Sequence, residues 1–258
     1  MRGRLRQIRR SAGAQPSAAA PSPSRGSTGA LAGRIVDEII VPASAPADHF
    51  AAGFAAACPF RAGDGILFFD LETTGLSWRD RIIIAGLLFA EGGGFRIIQE
   101  VAVDVADERS LLEEVLRAIE EHPCVVTYNG RSFDMPMLRR RLAYHSLPDL
   151  PAGTKVVDLL HAARRRYRGR LSDCRLGTIE REVLGKRREG PDIPGAEVPL
   201  RFEDYARSGD PRHLDPILYH NRIDLTTLAA LYPVLSQDAK GLAVAPRRSG
   251  LAGGPGMR

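Results

Sequence analysis

Cysteine is scarce in this chain of 258 residues, occurring only at Cys58, Cys124 and Cys174. Three scattered cysteines provide neither the dense disulfide framework of a small secreted domain nor the paired spacing of a zinc site. A reducing compartment is the simpler inference, and we expect the protein to be cytoplasmic.

Long apolar runs are also missing. No stretch approaches the roughly 20 apolar residues that a membrane span needs. The N-terminal residues MRGRLRQIRRSAGAQ are basic, but no apolar segment follows them, so they do not read as a secretory signal. We therefore expect no membrane association, and we expect no small-molecule cofactor.

Acidic residues are absent from positions 1–34, which contain seven arginines. The net charge of +5 therefore belongs to the two ends, and the middle of the chain is net acidic. A basic arm favours polyanions such as nucleic acid, but a solvated arm without function has the same composition. We predict a disordered, Ala/Pro/Ser/Gly-rich basic N-terminal arm over 1–45, one folded domain over 46–236 and a flexible C-terminal tail over 237–258.

Among the features that are present, the stretch FFDLETTGL at 68–76 combines an apolar run with two acids. The run predicts a buried strand, and because side chains alternate along a strand, Asp70 and Glu72 lie on the same face. Two carboxylates this close repel each other, so the pKa of one of them must rise unless a divalent cation keeps both charged. Oxygen ligands suit Mg²⁺ or Mn²⁺. The alternative is a strand end whose acids face water.

The order of the remaining elements predicts an α/β fold. Apolar patterns indicate strands at 66–71, 81–90, 94–103 and 124–128, with a hairpin around Gly92–Gly94. Helical patterns follow a cap at Asp107 and recur at 133–144, 157–168, 174–184 and 212–235. We therefore expect a mixed β-sheet flanked by helices, with three antiparallel strands first and parallel strands afterwards.

Two later segments carry further acids. In VTYNGRSFDMPML (126–138), a turn at Asn129 precedes a helix with Asp134 in its first turn, where the macrodipole alone favours an acid. In YHNRIDLTTLAAL (219–231), Asp224 lies within the apolar pattern of a buried helix and needs partners. His220 lies four residues earlier on the same helical face, either as a hydrogen-bond partner or as a general base beside a metal ligand.

Together, FDLETTGL, NGRSFDMPML and HNRIDLTTL resemble the three exonuclease motifs of the DEDD superfamily, which is built on a ribonuclease H-like fold. The closer resemblance is to the YprB-type ribonuclease H-like domain. Its pattern also includes a DLL helix start (158–160), a helix like that at 171–185 and a DIPG loop like that at 192–199. The resemblance covers about residues 60–235. It implies that the segment 46–236 is a ribonuclease H-like exonuclease domain.

The resemblance also implies a two-metal mechanism with Mg²⁺ or Mn²⁺. Asp70 is expected to bridge both ions. Glu72 and Asp224 are expected to bind the ion on the nucleophile side, and Asp134 the second ion. The residues expected to contact nucleic acid are Thr73, Thr74, Leu76, Asn129 and Phe133.

The general base departs from the DEDD pattern, which has a Tyr four residues or a His five residues before the last Asp. Here the two are exchanged, as Tyr219 and His220. On a regular helix, position 220 lies ~40° from position 224 and position 219 lies ~140° away. We therefore predict His220 as the base; the alternative is that it only orients Asp224.

Arginines recur near these motifs, in RRRYRGR (164–170) and at Arg175, Arg187 and Arg188. They are candidates for phosphate contact, but a solvated helix face has the same composition.

We predict a metal-dependent 3′→5′ exonuclease acting on single-stranded ends of DNA or RNA. A catalytically weak or inactive nucleic-acid-binding domain of the same fold and an RNase H-type endonuclease remain as alternatives.

Overall fold

The computed structural model of the chain describes residues 6–11, 35–42, 63–77, 79–91, 94–188, 190 and 192–236. Within them, one seven-stranded sheet has the order β1-β2-β5-β4-β3-β6-β7. The strands are β1 Arg6–Ser11, β2 Ile35–Pro42, β3 Ile66–Thr73, β4 Ile82–Glu91, β5 Gly94–Val101, β6 Cys124–Thr127 and β7 Lys155–Asp158. The helices are α1 Val105–Glu121, α2 Asp134–Tyr144, α3 Leu159–Tyr167, α4 Leu176–Val183, α5 Val198–Ser208 and α6 Pro211–Ser236, with a 3₁₀ turn at Gly195–Glu197.

The predicted fold class is confirmed. Strands β3, β4 and β5 form an antiparallel meander, and β6 and β7 follow parallel to β3. Apolar side chains fill both faces of the sheet. One face packs against α3 and α6 through residues such as Phe68, Leu225 and Leu228. The other packs against α1 and α2 through residues such as Phe69, Leu111 and Leu138.

The prediction that residues 1–45 lie outside the folded domain is wrong for two segments, which form strands of the sheet. Strand β2 pairs antiparallel with β5 along its whole length, and β1 pairs parallel with β2. Both strands fall within the segment 1–45 that the composition predicted to be disordered. Ile35, Val36 and Ile39 are buried, which explains why this short apolar group forms a strand beside β5. The tail 237–258, residues 43–62 around Cys58 and the predicted hairpin glycines Gly92 and Gly93 lie outside the described residues.

Three helix predictions also need correction. Helix α1 is capped by Asp104, whose side chain accepts from the Asp107 N–H in a capping box, so Asp107 lies inside the helix. The segment at 155–158 is strand β7, because its two valines extend the sheet beside β6 before Asp158 caps α3. Helix α5 was not predicted, although the spacing of Val198, Phe202 and Tyr205 is helical.

A buried ionic network ties helices α1 and α2 to the sheet. The Glu108 side chain is fully buried and accepts hydrogen bonds from the backbone N–H of Ile82 at 2.9 Å and from Arg141 Nε at 2.7 Å. Arg141 Nη2 and His145 Nε2 contact its other oxygen at 2.5 and 2.9 Å. These contacts together hold the pKa of Glu108 below its usual range despite the opposing effect of burial.

We expect Arg141→Met to lower the free energy of unfolding by about 3–5 kcal/mol, because the change leaves the buried Glu108 carboxylate without its charged partner. Urea denaturation measures the effect. Arg139→Met is the matched control, since Arg139 pairs with Asp149 in solvent and its loss should cost about 0–1 kcal/mol. Equal effects of the two changes would contradict the assignment of the network as a stabilising link.

Candidate active site

Strand β3 delivers the first two acids to the face of the sheet that α6 covers. Alternation places Asp70 and Glu72 on the side of Phe68, which packs against α6, whereas Phe69 and Leu71 face α1 and α2. The register with β4 shifts between Glu72 and Thr73, so the strand is irregular directly after the second acid. The predicted common face is therefore present.

Helix α2 delivers the third acid. Asn129 adopts a left-handed backbone with φ of 64°, and its N–H donates to the Asp158 carboxylate at 2.8 Å. A Cβ at Gly130 would lie 2.3 Å from the Thr127 hydroxyl oxygen, so only glycine fits this turn. The turn leads directly into α2. Asp134 begins that helix, is 4% exposed and accepts from the Leu71 N–H, between Asp70 and Glu72, at 3.1 Å.

Helix α6 delivers the fourth acid and a residue that the sequence reasoning missed. Asn221 is fully buried, and its Nδ2 donates to Asp70 Oδ2 at 2.8 Å, while its Oδ1 accepts from Gln99 at 2.8 Å. Gly86 pairs with Asp70 in the sheet, and a Cβ there would lie 2.2 Å from Asn221 Oδ1. The glycine therefore lets α6 approach the sheet closely enough to reach Asp70. The signal in the sequence was an Asn beside His220 on a buried helix.

The four acids share one electrostatic environment. Burial first, and then the charge of Asp224, raises the pKa of both Asp70 and Glu72 well above its usual range. Burial also raises the pKa of Asp134 to about 7, opposed by hydrogen bonds from backbone N–H groups and supported by the charges of Asp158 and Asp224. The tertiary structure thus brings together the four acids that the motifs singled out.

The chemistry of this donor set fits divalent cations, because carboxylate oxygens suit Mg²⁺ and Mn²⁺ and the repulsion that raises the pKa values is relieved by positive charge. The side chains are not arranged to ligate an ion as they stand. In the described part of the chain, no group of three or more His, Cys, Asp or Glu side chains has that geometry. Asp70, Asp134 and Asp224 are each turned towards a hydrogen-bond donor of the protein.

Arg188 is the second residue whose role the sequence did not reveal. Its side chain is 15% exposed and lies among three carboxylates: Nη2 donates to Asp224 Oδ1 at 2.5 Å, Nε to Glu180 at 2.9 Å, and Nη1 contacts Asp192 at 3.3 Å. Of the two alternatives for this arginine, a solvated helix face is excluded. The position of Arg188 in the sequence, after a helix and before an acidic loop, does not predict these contacts.

His220 lies where helical geometry predicts. Its Nδ1 is 2.7 Å from Asp192 Oδ1, and its Nε2 is 3.7 Å from Asp224 Oδ2. Asp192 thus favours the proton on Nδ1 and leaves Nε2 as an acceptor facing Asp224. The ring of Tyr219 lies against Gly190, where an added Cβ would be 3.0 Å from Tyr219 Cζ.

The five residues expected to contact nucleic acid differ in their surroundings. The Thr73 hydroxyl donates to Gly75 O at 2.7 Å, and the Thr74 hydroxyl to Asp80 at 3.0 Å, so both hold the loop after β3. Leu76 is 83% exposed on that loop. Asn129 is exposed in its turn, and Phe133 packs partly against α1 and α2. Leu76 and Asn129 therefore have the accessibility that the prediction requires.

A cavity of about 750 Å³ adjoins Asp224, whereas Asp70, Glu72 and Asp134 do not line it. Asp224, His220 and Asp192 line one part of it. The remaining wall is strongly basic and includes Arg175, Arg181, Lys186, Arg187 and Arg188. Of the arginines that the sequence offered for phosphate contact, Arg175, Arg187 and Arg188 therefore lie next to the acids.

The sheet topology and the acid cluster define a class of protein. A family model described as the RNase_H superfamily matches residues 67–236, and the chain belongs to that superfamily. It is 32% identical over 201 residues, covering 71% of this chain and 45% of the relative, to the uncharacterized protein YprB of Bacillus subtilis (strain 168). The resemblance to the YprB-type ribonuclease H-like domain is confirmed.

Two polymerases share the fold or part of the sequence. DNA polymerase 1 of Aeropyrum pernix is 32% identical over 80 residues, which are 30% of this chain and 8% of the polymerase. The family B DNA polymerase of the hyperthermophilic archaeon Pyrobaculum calidifontis superposes with a TM-score of 0.53 at 19% identity, over 66% of this chain and 24% of the polymerase. The chain thus matches less than half the length of these relatives.

Superfamily membership favours a divalent-metal requirement in general. None of the helices in the described residues has the length and apolar character of a membrane span.

We expect the unfolding free energy without metal to fall as pH rises from about 4 to 7. The unfolded carboxyl of Asp134 releases its proton near 3.8, whereas the folded one retains it to about 7. Its stabilising contribution is complete below the lower value and is lost on passing the higher one, at up to about 1.4 kcal/mol per pH unit. Denaturation in EDTA across this range measures the slope. Asp134→Asn should reduce it, and an unchanged slope would contradict the assignment.

Proposed function

We propose that this chain is a metal-dependent 3′→5′ exonuclease that hydrolyses phosphodiester bonds at single-stranded ends of DNA or RNA. The observation that carries the proposal is the meeting of four acids from three separate segments around strand β3, beside a histidine held by its own carboxylate. Burying several carboxylates together is costly for stability, so a cluster of this kind points to a function.

Asp70, Glu72, Asp134 and Asp224 would hold two divalent cations, Mg²⁺ or Mn²⁺. When bound, such ions activate a water molecule and stabilise the leaving 3′-oxygen. Asn221 keeps the Asp70 carboxylate in place, and the Leu71 N–H does the same for Asp134. His220 accepts a proton at Nε2, and Asp192 holds its ring by Nδ1.

The substrate chemistry follows from the surroundings of the acids. The basic wall of the cavity suits the phosphate backbone, and the exposed Leu76 suits the terminal nucleotide. No base-reading motif is evident in the sequence, so the proposal includes no direct sequence specificity. We further propose a cytoplasmic location, on the cysteine content alone.

A catalytically weak or inactive nucleic-acid-binding domain is the second candidate. The observation that favours it is the ion pair between Arg188 and Asp224, which occupies one of the expected metal ligands. The exchanged order of Tyr219 and His220 relative to the DEDD pattern points the same way.

Labelled single-stranded substrates separate these functions. With Mn²⁺, the proposed enzyme should release labelled mononucleotides from a 3′-labelled DNA or RNA strand at once, should shorten a 5′-labelled strand progressively, and should leave a circular strand intact. Cleavage of the circle would replace the exonuclease with an RNase H-type endonuclease. Binding of the linear strand without any cleavage would favour the inactive domain.

A further inference from the structure

Arg188 differs from the other groups that hold the acid cluster. Asp70 and Asp134 each receive a hydrogen bond from a neutral donor, namely the Asn221 amide and the Leu71 N–H. A carboxylate oxygen that accepts from a neutral amide retains free lone pairs for a cation. Asp224 instead forms an ion pair with the positively charged Arg188, whose Nη2 lies 2.5 Å from Asp224 Oδ1.

The remaining oxygen of Asp224 faces His220 without a hydrogen bond. Asp224 Oδ2 lies 3.7 Å from His220 Nε2, while Oδ1 carries the arginine. A divalent cation at Asp224 would therefore lie within a few ångströms of the guanidinium. Two cations at such a separation repel each other strongly in a partly buried site. The described side chains accordingly offer no ready-formed group that could hold a metal ion.

We propose that Arg188 is an internal counter-ion of the acid cluster, which a divalent cation must displace from Asp224 before the site can be loaded. This inference rests on the proposed metal-dependent function and adds a control step to the same site. Arg188 stabilises the metal-free form by neutralising Asp224, Glu180 and Asp192, and it opposes metal binding by the same contacts.

Space for the displaced side chain exists. Arg188 lines the cavity of about 750 Å³ that adjoins Asp224, so its guanidinium has room to move away from Asp224 within the cavity. It carries two further partners on its own side of the cavity, Glu180 at 2.9 Å and Asp192 at 3.3 Å. The arginine can therefore leave Asp224 while remaining paired.

The test is a calorimetric titration of Mn²⁺ into four purified chains: the unchanged protein, Arg188→Met, Arg188→Lys and Arg181→Met. We expect Arg188→Met to bind Mn²⁺ at least about tenfold more tightly, since the competing cation is gone while the aliphatic stem is kept. The Mn²⁺ affinity of Arg188→Lys should lie between those of the unchanged protein and Arg188→Met, because an ammonium group keeps the charge but cannot contact several carboxylates at once as the guanidinium does. Arg181→Met removes the same charge from the same cavity, but Arg181 pairs with the exposed Glu182, so Mn²⁺ affinity should not change.

Thermal unfolding gives a second readout that does not depend on activity. Without metal, Arg188→Met should unfold at a lower temperature, and Mn²⁺ should raise its unfolding temperature by more than it raises that of the unchanged protein. If Arg188→Met does not fold, Arg188→Lys carries the comparison. Mn²⁺ affinity that stays equal or falls in the Arg188 variants would overturn the proposal and make Arg188 a support for Asp224.

Failure of this inference is distinguishable from failure of the proposed function. If the Arg188 variants bind Mn²⁺ more tightly but no chain cleaves nucleic acid, the counter-ion inference stands and the nuclease proposal is wrong. If the unchanged protein cleaves nucleic acid with Mn²⁺ and the Arg188 variants bind it no better, the inference alone is wrong. If no chain binds Mn²⁺, both are wrong.

Discussion

Asp70→Asn should abolish metal-dependent cleavage while leaving the fold intact or more stable. The charges of Asp224, Glu72 and Asp134 all act on Asp70, so in the proposed two-metal site its carboxylate would be the central ligand. We expect activity on a 3′-labelled strand to fall at least about 10³-fold, which corresponds to about 4 kcal/mol of transition-state stabilisation.

The buried position of Asp70 explains why this variant should be as stable as the unchanged protein or more stable. Desolvation and neighbouring charge raise the pKa of Asp70 because the ionised form is disfavoured there. An asparagine has nearly the same shape as Asp70. Its carbonyl oxygen can still accept from Asn221 Nδ2, which lies 2.8 Å from Asp70 Oδ2 in the unchanged protein. Without metal, the midpoint of urea unfolding should therefore stay or rise. Asp149→Asn removes the same charge from an exposed position and should change neither activity nor metal binding. Near-normal cleavage by Asp70→Asn would refute the two-metal assignment.

His220→Ala should lower kcat by about 10² to 10⁴-fold with little change in Mn²⁺ affinity, since a positioned general base contributes that much. The ring is suited to the role because Asp192 Oδ1, at 2.7 Å, holds Nδ1 and leaves Nε2 facing Asp224. The acidic limb of the pH–rate profile should disappear in this variant alone. Single-turnover cleavage between pH 5 and 9, with parallel Mn²⁺ titrations, measures both quantities.

Tyr219→Phe is the matched control for the base. The Tyr219 ring lies against Gly190, and on a regular helix position 219 is ~140° from position 224, so removing its hydroxyl should cost little. Asp192→Asn should weaken catalysis less than His220→Ala, because it loosens the histidine without removing it. If His220→Ala instead weakens Mn²⁺ binding and added Mn²⁺ restores the rate, His220 orients Asp224 and the base lies elsewhere.

Local pattern was sufficient for most of the fold. Strand β3, the antiparallel hairpin and the later helices all have periodicities that only one kind of element satisfies, and their order is typical of a mixed sheet. Strands β1, β2 and β7 and helix α5 were not predicted. Strand β2 has a short apolar group in a low-complexity setting, and its partner β5 lies about 60 residues away. Helix α5 is short, and its burial depends on contact with the sheet and α6.

For the site, the sequence by itself singled out the four acids and His220, because the motifs that carry them combine fixed residue types with fixed places along strand and helix. Only the tertiary structure decided their surroundings. Asn221 reaches Asp70 because Gly86 allows a close approach between α6 and the sheet. Arg188 reaches Asp224 across 36 residues of chain. Ion pairs of this kind depend on distances in space, and no periodicity along the chain encodes them.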